Sequence, residues 1–143
     1  MKRLQGLCVA VLVLISVNAA AERLAVKVEV ANIRSGPGTK FDILWQVQKY
    51  HPILTLKREG AWYQFQDFEN DRGWIHESLV SDISAVITVR PKCNIRKGPG
   101  TGYAIAFTVE NGVPFRVLER RGKWLKVQHA DGDRGWIHLS LVW

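Results

Sequence analysis

The chain has 143 residues, 47% of them hydrophobic and 23% charged, which excludes a disordered polypeptide and allows one domain or two very small ones. Its formal net charge of +7 favours anionic partners such as envelope polymers or phospholipid surfaces, although solubility alone also accounts for a modest positive charge. No run of basic residues is longer than Arg120-Arg121, so the sequence does not support nucleic-acid binding.

Residues 1–21 have the features of a secretory signal peptide. Lys2 and Arg3 form a positive start, residues 7–17 form an apolar run of 11 residues, and three Ala at 19–21 supply a cleavage site. The apolar run is too short to span a bilayer. We therefore predict an exported protein, periplasmic or extracellular, with no stable membrane span after cleavage. An uncleaved membrane anchor is the alternative.

The next residues predict short strands separated by turns, with no segment of helical periodicity. Five strands are predicted, at residues 24–34, 43–48, 52–58, 61–68 and 73–76. In the first of these, Val26, Val28 and Val30 alternate with other residues, as expected of a half-buried strand. Strands of this length with frequent turns are typical of a small barrel or sandwich.

The hexapeptide Asp-Arg-Gly-Trp-Ile-His occurs twice, at residues 71–76 and again 62 residues later, at 133–138. Residues 32–80 align with residues 94–142 without a gap and give 24 identities in 49 positions. This similarity is far above chance and indicates an internal duplication.

The duplication predicts an all-β protein made of two small units in tandem after the signal peptide. The first domain is expected at 22–80, a linker at 81–85 and the second domain at 86–143. Domains of this size bury only a marginal amount of surface, so we expect the two to pack against each other.

Three motifs recur in the same order and spacing in both units. They lie at residues 32–39, 60–63 and 73–80, and again at 94–101, 122–125 and 135–142. Together they resemble the bacterial SH3-like domain family. The resemblance implies a five-stranded β-barrel in each unit, found in exported proteins often beside cell-wall peptidases. It also implies binding of peptidoglycan or peptides.

The strand after each Gly-containing turn offers an aromatic residue to solvent. Tyr63 and Phe65 share one face of this strand, which places Trp62 on the other face beside Gln residues. Trp124 is its counterpart in the second unit. An outward Trp repeated in both units predicts a platform for a sugar or peptide. The alternative is that each Trp covers its own barrel or fills the contact between the units.

The repeated hexapeptide supplies a second pair of aromatic candidates. Trp74 and Trp136 share a strand face with His76 and His138, and they are predicted as possible flanks of the same ligand surface. The two His residues are better explained as structural than as ligand contacts, and no Cys/His/carboxylate cluster beside them predicts a metal site.

The resemblance extends to eukaryotic SH3 domains, where a Trp at the start of this strand lines the peptide groove. Those domains have a groove Pro where His76 and His138 stand, and a groove Tyr where Leu79 and Leu141 stand. The chain therefore departs twice in each unit from the groove that binds proline-rich peptides. Binding of such peptides is not expected.

Arg34 and Arg96 precede the two Gly-Pro-Gly loops. A guanidinium in this position could hold a carboxylate, for example a peptide terminus, and both residues are candidate ligand contacts. The favoured alternative is an internal bond from each Arg to a loop carbonyl or to a repeated Asp.

The sequence does not predict catalysis. Cys8 lies in the predicted signal peptide, which leaves Cys93 alone in the mature chain and excludes an internal disulfide. Cys93 begins a strand motif, and no helix N-terminus is predicted there to lower the pKa of its thiol, so a packed apolar role is expected. We predict no cofactor and no metal.

Two functions remain open from sequence. The first is an exported, non-catalytic module that binds a cell-wall glycan or peptide through its outward aromatic surface. The alternative is a protein–protein interaction or assembly module of an envelope complex, since the edges of small barrels can accept a partner strand.

Overall fold

The computed structural model describes residue 6, residues 8–12 and residues 21–143. The predicted signal peptide at 1–21 lies mostly outside the described residues. Among the residues that are described, none belongs to a helix long and apolar enough to cross a membrane.

The first unit forms one antiparallel sheet. Its strands are β1 (Arg23–Val26), β2 (Val30–Arg34), β3 (Ile43–Gln48), β4 (Pro52–Glu59), β5 (Trp62–Gln66), β6 (Arg72–His76) and β7 (Val80–Ser81). Their order across the sheet is β3-β2-β6-β5-β4-β1-β7. A short 3₁₀ helix, Glu77–Leu79, connects β6 to β7.

The second unit repeats this arrangement. Its strands are β8 (Ala85–Ile87), β9 (Cys93–Arg96), β10 (Ile105–Val109), β11 (Pro114–Arg121), β12 (Trp124–Gln128) and β13 (Arg134–His138), in the order β10-β9-β13-β12-β11-β8. A second 3₁₀ helix, Leu139–Leu141, follows β13. The predicted all-β class is confirmed, with six or seven strands in each sheet because short strands add to its edges.

Each sheet encloses its own hydrophobic core. In the first unit every strand contributes to one buried cluster, which consists of Leu24, Val26, Ala31, Ile33, Val47, Ile53, Phe65, Ile75 and Val80. Strands β3 and β7 stand at opposite ends of the sheet order, yet both supply residues to this cluster. The sheet must therefore curl on itself. The equivalent cluster of the second unit consists of Cys93, Ile95, Phe115, Leu125, Val127 and Ile137.

The single strand predicted at 24–34 is wrong, because the chain bends between β1 and β2. Strand β1 pairs with β4 and β7, whereas β2 pairs with β3 and β6 on the other side of the sheet. The bend also shifts the alternation by one residue. Ala31 and Ile33 face the core, while Val30, expected to face inward with Val26, is 57% exposed.

Strands β2 and β6 approach each other closely at a glycine. A Cβ atom on Gly73 would overlap the Cγ2 atom of Ile33, and one on Gly135 would overlap Cγ2 of Ile95 and lie 3.0 Å from the backbone oxygen of Arg96. Any side chain at these two positions would push the strands apart. Glycine is therefore required by the packing of both cores.

The two units contact each other through β1, β8 and the last residue. Arg23 Nη2 donates to the backbone oxygen of Ala85 at 3.1 Å, and its guanidinium lies 4.2 Å from the ring centroid of Trp143. Burial lowers the pKa of Arg23. Ala25 and Tyr50 of the first unit share a buried cluster with Ala85 of the second. The units therefore pack against each other.

A cavity of about 410 Å³ lies between the units, and a buried His51 lines it. Its Nε2 atom is 3.9 Å from Asp67 Oδ2 and has no hydrogen-bond partner among the described residues. Asp67 Oδ1 accepts from the backbone N–H groups of Glu69 and Asp71 and so forms a turn. Because of this turn β5 ends at Gln66 and not at residue 68, where the predicted strand ended. Burial lowers the pKa of His51 to about 4 and raises the pKa of Asp67.

Replacing Gly135 by Ala should lower the free energy of unfolding by about 1–3 kcal/mol, because the added methyl overpacks the contact with Ile95. Urea unfolding followed by Trp fluorescence measures this change. Gly102→Ala is the matched control, since nothing lies within 4 Å of a Cβ there, and it should change stability by less than about 0.5 kcal/mol. Equal stability of the two variants would contradict the close approach.

Replacing His51 by Val, the residue at the equivalent position 113, should reduce the loss of stability in acid. Between pH 6.5 and about 4 the unfolded chain protonates this imidazole while the folded chain does not, so stability falls as pH falls. The loss is at most about 3 kcal/mol. Asp67 opposes it, since its raised pKa makes the folded state take up a proton earlier as pH falls.

The measurement is the urea midpoint of both proteins at two pH values. One, about pH 7, lies above the pKa of a free imidazole, and the other, about pH 4.5, lies below it. A midpoint that moves equally with pH in both proteins would show that His51 is not the titrating group.

Candidate functional site

Trp62 and Trp124 are the first residues of β5 and β12, and both side chains are half-buried. Each follows a two-residue hairpin turn that contains a glycine in the left-handed region, Gly60 at φ 57° and Gly122 at φ 56°. Glycine adopts this conformation without strain, and turns of this length fix the register of the strands that they join. The turn therefore sets where each Trp ring lies along its strand.

A histidine on the neighbouring strand meets each Trp ring edge-on. The ring centroids of Trp62 and His76 are 5.2 Å apart with an interplanar angle of 86°. Those of Trp124 and His138 are also 5.2 Å apart, at 80°. Edge-to-face packing is a favourable arrangement of aromatic rings. The backbone register produces it, because Trp62 pairs with His76 and Trp124 with His138.

Each histidine also caps the 3₁₀ helix that follows it. His76 Nδ1 accepts from the backbone N–H of Ser78 at 3.2 Å and lies 2.7 Å from the Ser78 hydroxyl. The corresponding distances between His138 and Ser140 are 3.1 and 2.8 Å. Because Nδ1 accepts a backbone bond, the ring proton of the neutral imidazole is on Nε2. The structural role predicted for both histidines agrees with these contacts.

Arg34 and Arg96 brace the Gly-Pro-Gly loops. Arg34 Nη1 donates to the backbone oxygens of Thr39 at 2.9 Å and Phe41 at 3.0 Å. The two equivalent bonds of Arg96 are 3.2 and 3.0 Å long. These are the internal loop bonds that the sequence favoured. Nε and Nη2 of both residues have no partner within the described part of the chain, so each guanidinium keeps donors for another group.

An aromatic ring makes each loop compact. The ring of Phe41 lies against Gly36, and the ring of Tyr103 lies against Gly98, so closely that a Cβ on either glycine would overlap the ring. With the Arg bonds, this packing gives each unit a preformed loop beside its Trp.

The Trp, the His and the Arg of each unit line a single surface cleft. Cleft one, of about 250 Å³, is lined by Val30, Asn32, Arg34, Thr39, Trp62, His76, Ser78 and Leu79. Cleft two, of about 360 Å³, is lined by Lys92, Asn94, Arg96, Thr101, Trp124, His138, Ser140 and Leu141. Every residue of cleft two stands 62 positions after one of cleft one, and seven of the eight pairs are identical.

The clefts differ in one lining residue and in one hydrogen bond. Val30 in cleft one is replaced by Lys92 in cleft two. Gln46 Nε2 donates to Asn32 Oδ1 at 2.7 Å, whereas Asn94 Oδ1 is buried without a partner among the described residues. The position equivalent to Gln46 is Thr108, whose side chain is shorter.

Trp74 and Trp136 do not take part in the clefts, and their predicted place at the flanks of the ligand surface is wrong. Each is only 7% exposed. Lys57 Nζ lies 5.4 Å from the ring centroid of Trp74, and the guanidinium of Arg121 lies 5.4 Å from that of Trp136. These two Trp residues lie on the outer strand face but are not exposed, because long side chains from β4 and β11, two strands away in each sheet, extend over the rings.

Cys93 is fully buried in the second core. Its Sγ atom donates a weak hydrogen bond to the backbone oxygen of Arg90, 3.6 Å away, and burial raises the pKa of the thiol. A thiol in this setting is not a nucleophile at neutral pH. The packed role predicted from sequence fits this environment. Among the described residues, no three His, Cys, Asp or Glu side chains are grouped to hold a metal.

Sequence reasoning did not select the Thr and Ser residues that complete the clefts, nor Lys92. A signal for the first two was present, because Ser-Leu-Val follows the repeated hexapeptide in both units and Thr ends both Gly-Pro-Gly loops. Lys92 lies outside the aligned repeat and could not be selected in this way.

Solved structures with partial likeness to this chain are proteins named for the NlpC and NlpC/P60 families. An NlpC/P60 family protein from Bacillus cereus shares 11% identity at a TM-score of 0.40, over 85% of this chain and 56% of that one. NlpC2 from Trichomonas vaginalis shares 11% identity at a TM-score of 0.39, over 87% of this chain and 48% of that one. Likenesses this weak carry no functional information.

Curated relatives are proteins assigned as cell-wall amidases. YrvJ of Bacillus subtilis, assigned as an N-acetylmuramoyl-L-alanine amidase, is 27% identical over 138 aligned residues, which cover 89% of this chain and 26% of that protein. LytH of Staphylococcus epidermidis, assigned as a cell wall amidase, is 33% identical over 68 residues, 45% of this chain and 23% of that protein. The chain thus spans about a quarter of the length of these relatives.

Family comparison identifies both units. Residues 29–81 match one family described as a bacterial SH3 domain, and residues 89–143 match another with the same description. The first match contains every residue that lines cleft one, and the second match contains every residue that lines cleft two. The chain therefore belongs to the bacterial SH3 domain family and carries two such domains in tandem.

Proposed function

We propose that this protein is an exported, non-catalytic module that binds a cell-wall ligand, a peptidoglycan glycan or peptide, in clefts one and two. The observation that supports this most is the repetition of the clefts. The aligned repeats are identical at 24 of 49 positions, but the cleft linings at seven of eight. A solvent-facing surface preserved more strictly than the units around it indicates that both clefts bind the same class of ligand.

The chemistry of the clefts suits a sugar or a peptide. Each offers a half-buried Trp ring for stacking and polar groups from Asn, Thr, Ser and Arg around it. Pockets for such ligands combine apolar surface with a few placed hydrogen-bonding groups. Trp62 and Trp124 are the proposed anchors, with Arg34 and Arg96 as donors through their Nε and Nη2 atoms.

The relatives support a place in the cell envelope. YrvJ is named as an N-acetylmuramoyl-L-alanine amidase and LytH as a cell wall amidase, and the aligned segments make up about a quarter of each. We propose that this chain attaches to the wall, in the periplasm or outside the cell. A binding role without catalysis is further supported by the burial of Cys93 and by the structural bonds of His76 and His138.

A second candidate is a protein–protein or assembly role, and the sheet edges favour it. Strands β3 and β10 end their sheets, and each has one neighbouring strand within the part of the chain that the structure describes. Ile43 and Leu44 on β3 are each 50% exposed, and Ile105 on β10 is 47% exposed. An open edge with exposed apolar side chains can pair with another strand.

Changing Trp62 and Trp124 together to Ala should abolish sedimentation of the protein with purified peptidoglycan. Loss of two aromatic anchors, each worth about 2 kcal/mol or more in a binding site, should weaken binding by well over a hundredfold. The measurement is the bound fraction after centrifugation against a series of peptidoglycan concentrations. Leu44→Ala is the control, since it removes exposed apolar surface outside both clefts. Unchanged binding by the double Trp variant would refute the assignment of the clefts.

If the edge strands mediate assembly, light scattering of the purified protein should give a mass above 16.2 kDa per particle that falls on dilution. Ile43→Lys with Ile105→Lys should then restore the monomer, because a charge on an edge strand opposes pairing. A constant monomer mass in the unchanged protein would count against self-assembly through these edges.

A further inference from the structure

We propose that the two clefts have diverged in ligand chemistry, so that cleft two binds the free carboxylate end of a peptide while cleft one binds an uncharged segment. This inference rests on the proposed function, because it assigns a chemical group to one of the two proposed sites.

The first difference is the charge of the one lining residue that is not shared. Val30 gives cleft one an apolar side chain that is 57% exposed. Lys92 gives cleft two an exposed ammonium group, and no carboxylate of the described residues lies within 4.0 Å of it. This charge is therefore available to a ligand.

Residues adjacent in sequence to the lining residues also make the second unit more positively charged than the first. Ser35, Ala61 and Glu77 of the first unit correspond to Lys97, Lys123 and Leu139 of the second. Glu77 forms an ion pair with Arg58, so its replacement by Leu removes an acidic group next to the cleft histidine. Arg58, the partner of Glu77, has its counterpart in Arg120. At the remaining positions the second unit gains Lys92, Lys97 and Lys123 and loses Glu77 relative to the first.

The donors of cleft two fit a carboxylate. Arg96 Nη1 donates to two backbone oxygens of its own loop, which leaves the Nε and Nη2 donors for a ligand. Lys92 adds a second positive charge to the lining of the same cleft. A carboxylate accepts several bonds at once, and bonds between charged groups are stronger than neutral ones. The residues that line cleft one include Arg34 but no second cation.

The second difference selects a peptide end over an inorganic anion. Among the described residues Asn94 Oδ1 has no hydrogen-bond partner, whereas Asn32 Oδ1 accepts from Gln46. Because Asn94 Oδ1 is buried, a ligand N–H reaches it only when the Asn94 amide turns toward the cleft that it lines. A buried acceptor without a donor is costly, and a ligand that supplies an N–H group to the turned amide removes that cost. The last residue of a peptide carries a carboxylate and an amide N–H side by side. An inorganic phosphate carries no such N–H.

The experiment uses two variants of the full chain, each with one working cleft. Trp62→Ala leaves cleft two, and Trp124→Ala leaves cleft one. The probe is purified peptidoglycan in two forms, one native and one with its peptide carboxylates converted to methylamides.

The Trp62→Ala variant should bind the methylamide form about tenfold or more weakly than it binds native peptidoglycan. A loss of this size corresponds to one hydrogen bond to a charged group. Binding by this variant should also weaken when NaCl rises from about 0.1 M to about 1 M, which shortens the Debye length from about 10 Å to about 3 Å. Trp124→Ala should bind both forms within about twofold, since cleft one lacks the second cation.

Exchanging the residue that differs provides the matched control. Lys92→Val in the Trp62→Ala protein should remove the preference for native peptidoglycan. Val30→Lys in the Trp124→Ala protein should create such a preference. Both positions are exposed, so neither exchange should disturb folding, and circular dichroism checks this.

The outcomes separate this inference from the proposed function. If both single-cleft variants bind native peptidoglycan but respond alike to methylamidation, the divergence is wrong and the wall-binding function stands. If binding depends on attached phosphate polymers and not on the peptide carboxylates, the carboxylate assignment is wrong. If neither variant nor the unchanged protein binds native peptidoglycan, the function and the inference fail together.

Discussion

The close approach of β6 to β2, made possible by Gly73 in the first unit and Gly135 in the second, is the constraint on which the rest depends. It lets a branched side chain of β2 lie over a bare backbone, so the small core closes without a gap. The same approach pairs the last residue of β2, Arg34, with the middle residue of β6, Trp74. The Arg and Asn of β2 thereby come to the side of the sheet where the Trp and His residues stand.

The cleft is therefore built from side chains that also hold the fold together. His76 caps a 3₁₀ helix with Nδ1 and meets Trp62 with its ring, and Arg34 ties down the Gly-Pro-Gly loop with Nη1. Each of these groups keeps part of its capacity free toward solvent. A surface held in this way is preorganised, which lowers the entropy lost when a ligand binds. The repeated hexapeptide thus contributes to the lining of each cleft through its final His.

Most strands could be predicted, because alternation and turn residues are local signals. The predicted bounds of β3 agree with the structure, and those of β4, β5 and β6 differ from it by at most two residues at either end. The bend at 27–29 could not be predicted, because Val26, Val28 and Val30 keep the two-residue spacing of one continuous strand across it. The burial of Trp74 was missed for a related reason: alternation tells which face a residue occupies, but not that Lys57 of another strand covers that face.

The sequence by itself determined the fold class, the duplication and the residues on which each cleft is centred, because these follow from short-range patterns repeated 62 residues apart. Only the tertiary structure decided which of those residues share a cleft. Asn32, Arg34, Trp62 and Leu79 are distant in the chain, and strand pairing across the curled sheet brings them together. It also decided that Trp136 is covered and Trp124 is not, and that Lys92 stands where Val30 does in the other unit. Local pattern sets which way a side chain points, whereas its neighbours across the sheet set what it meets.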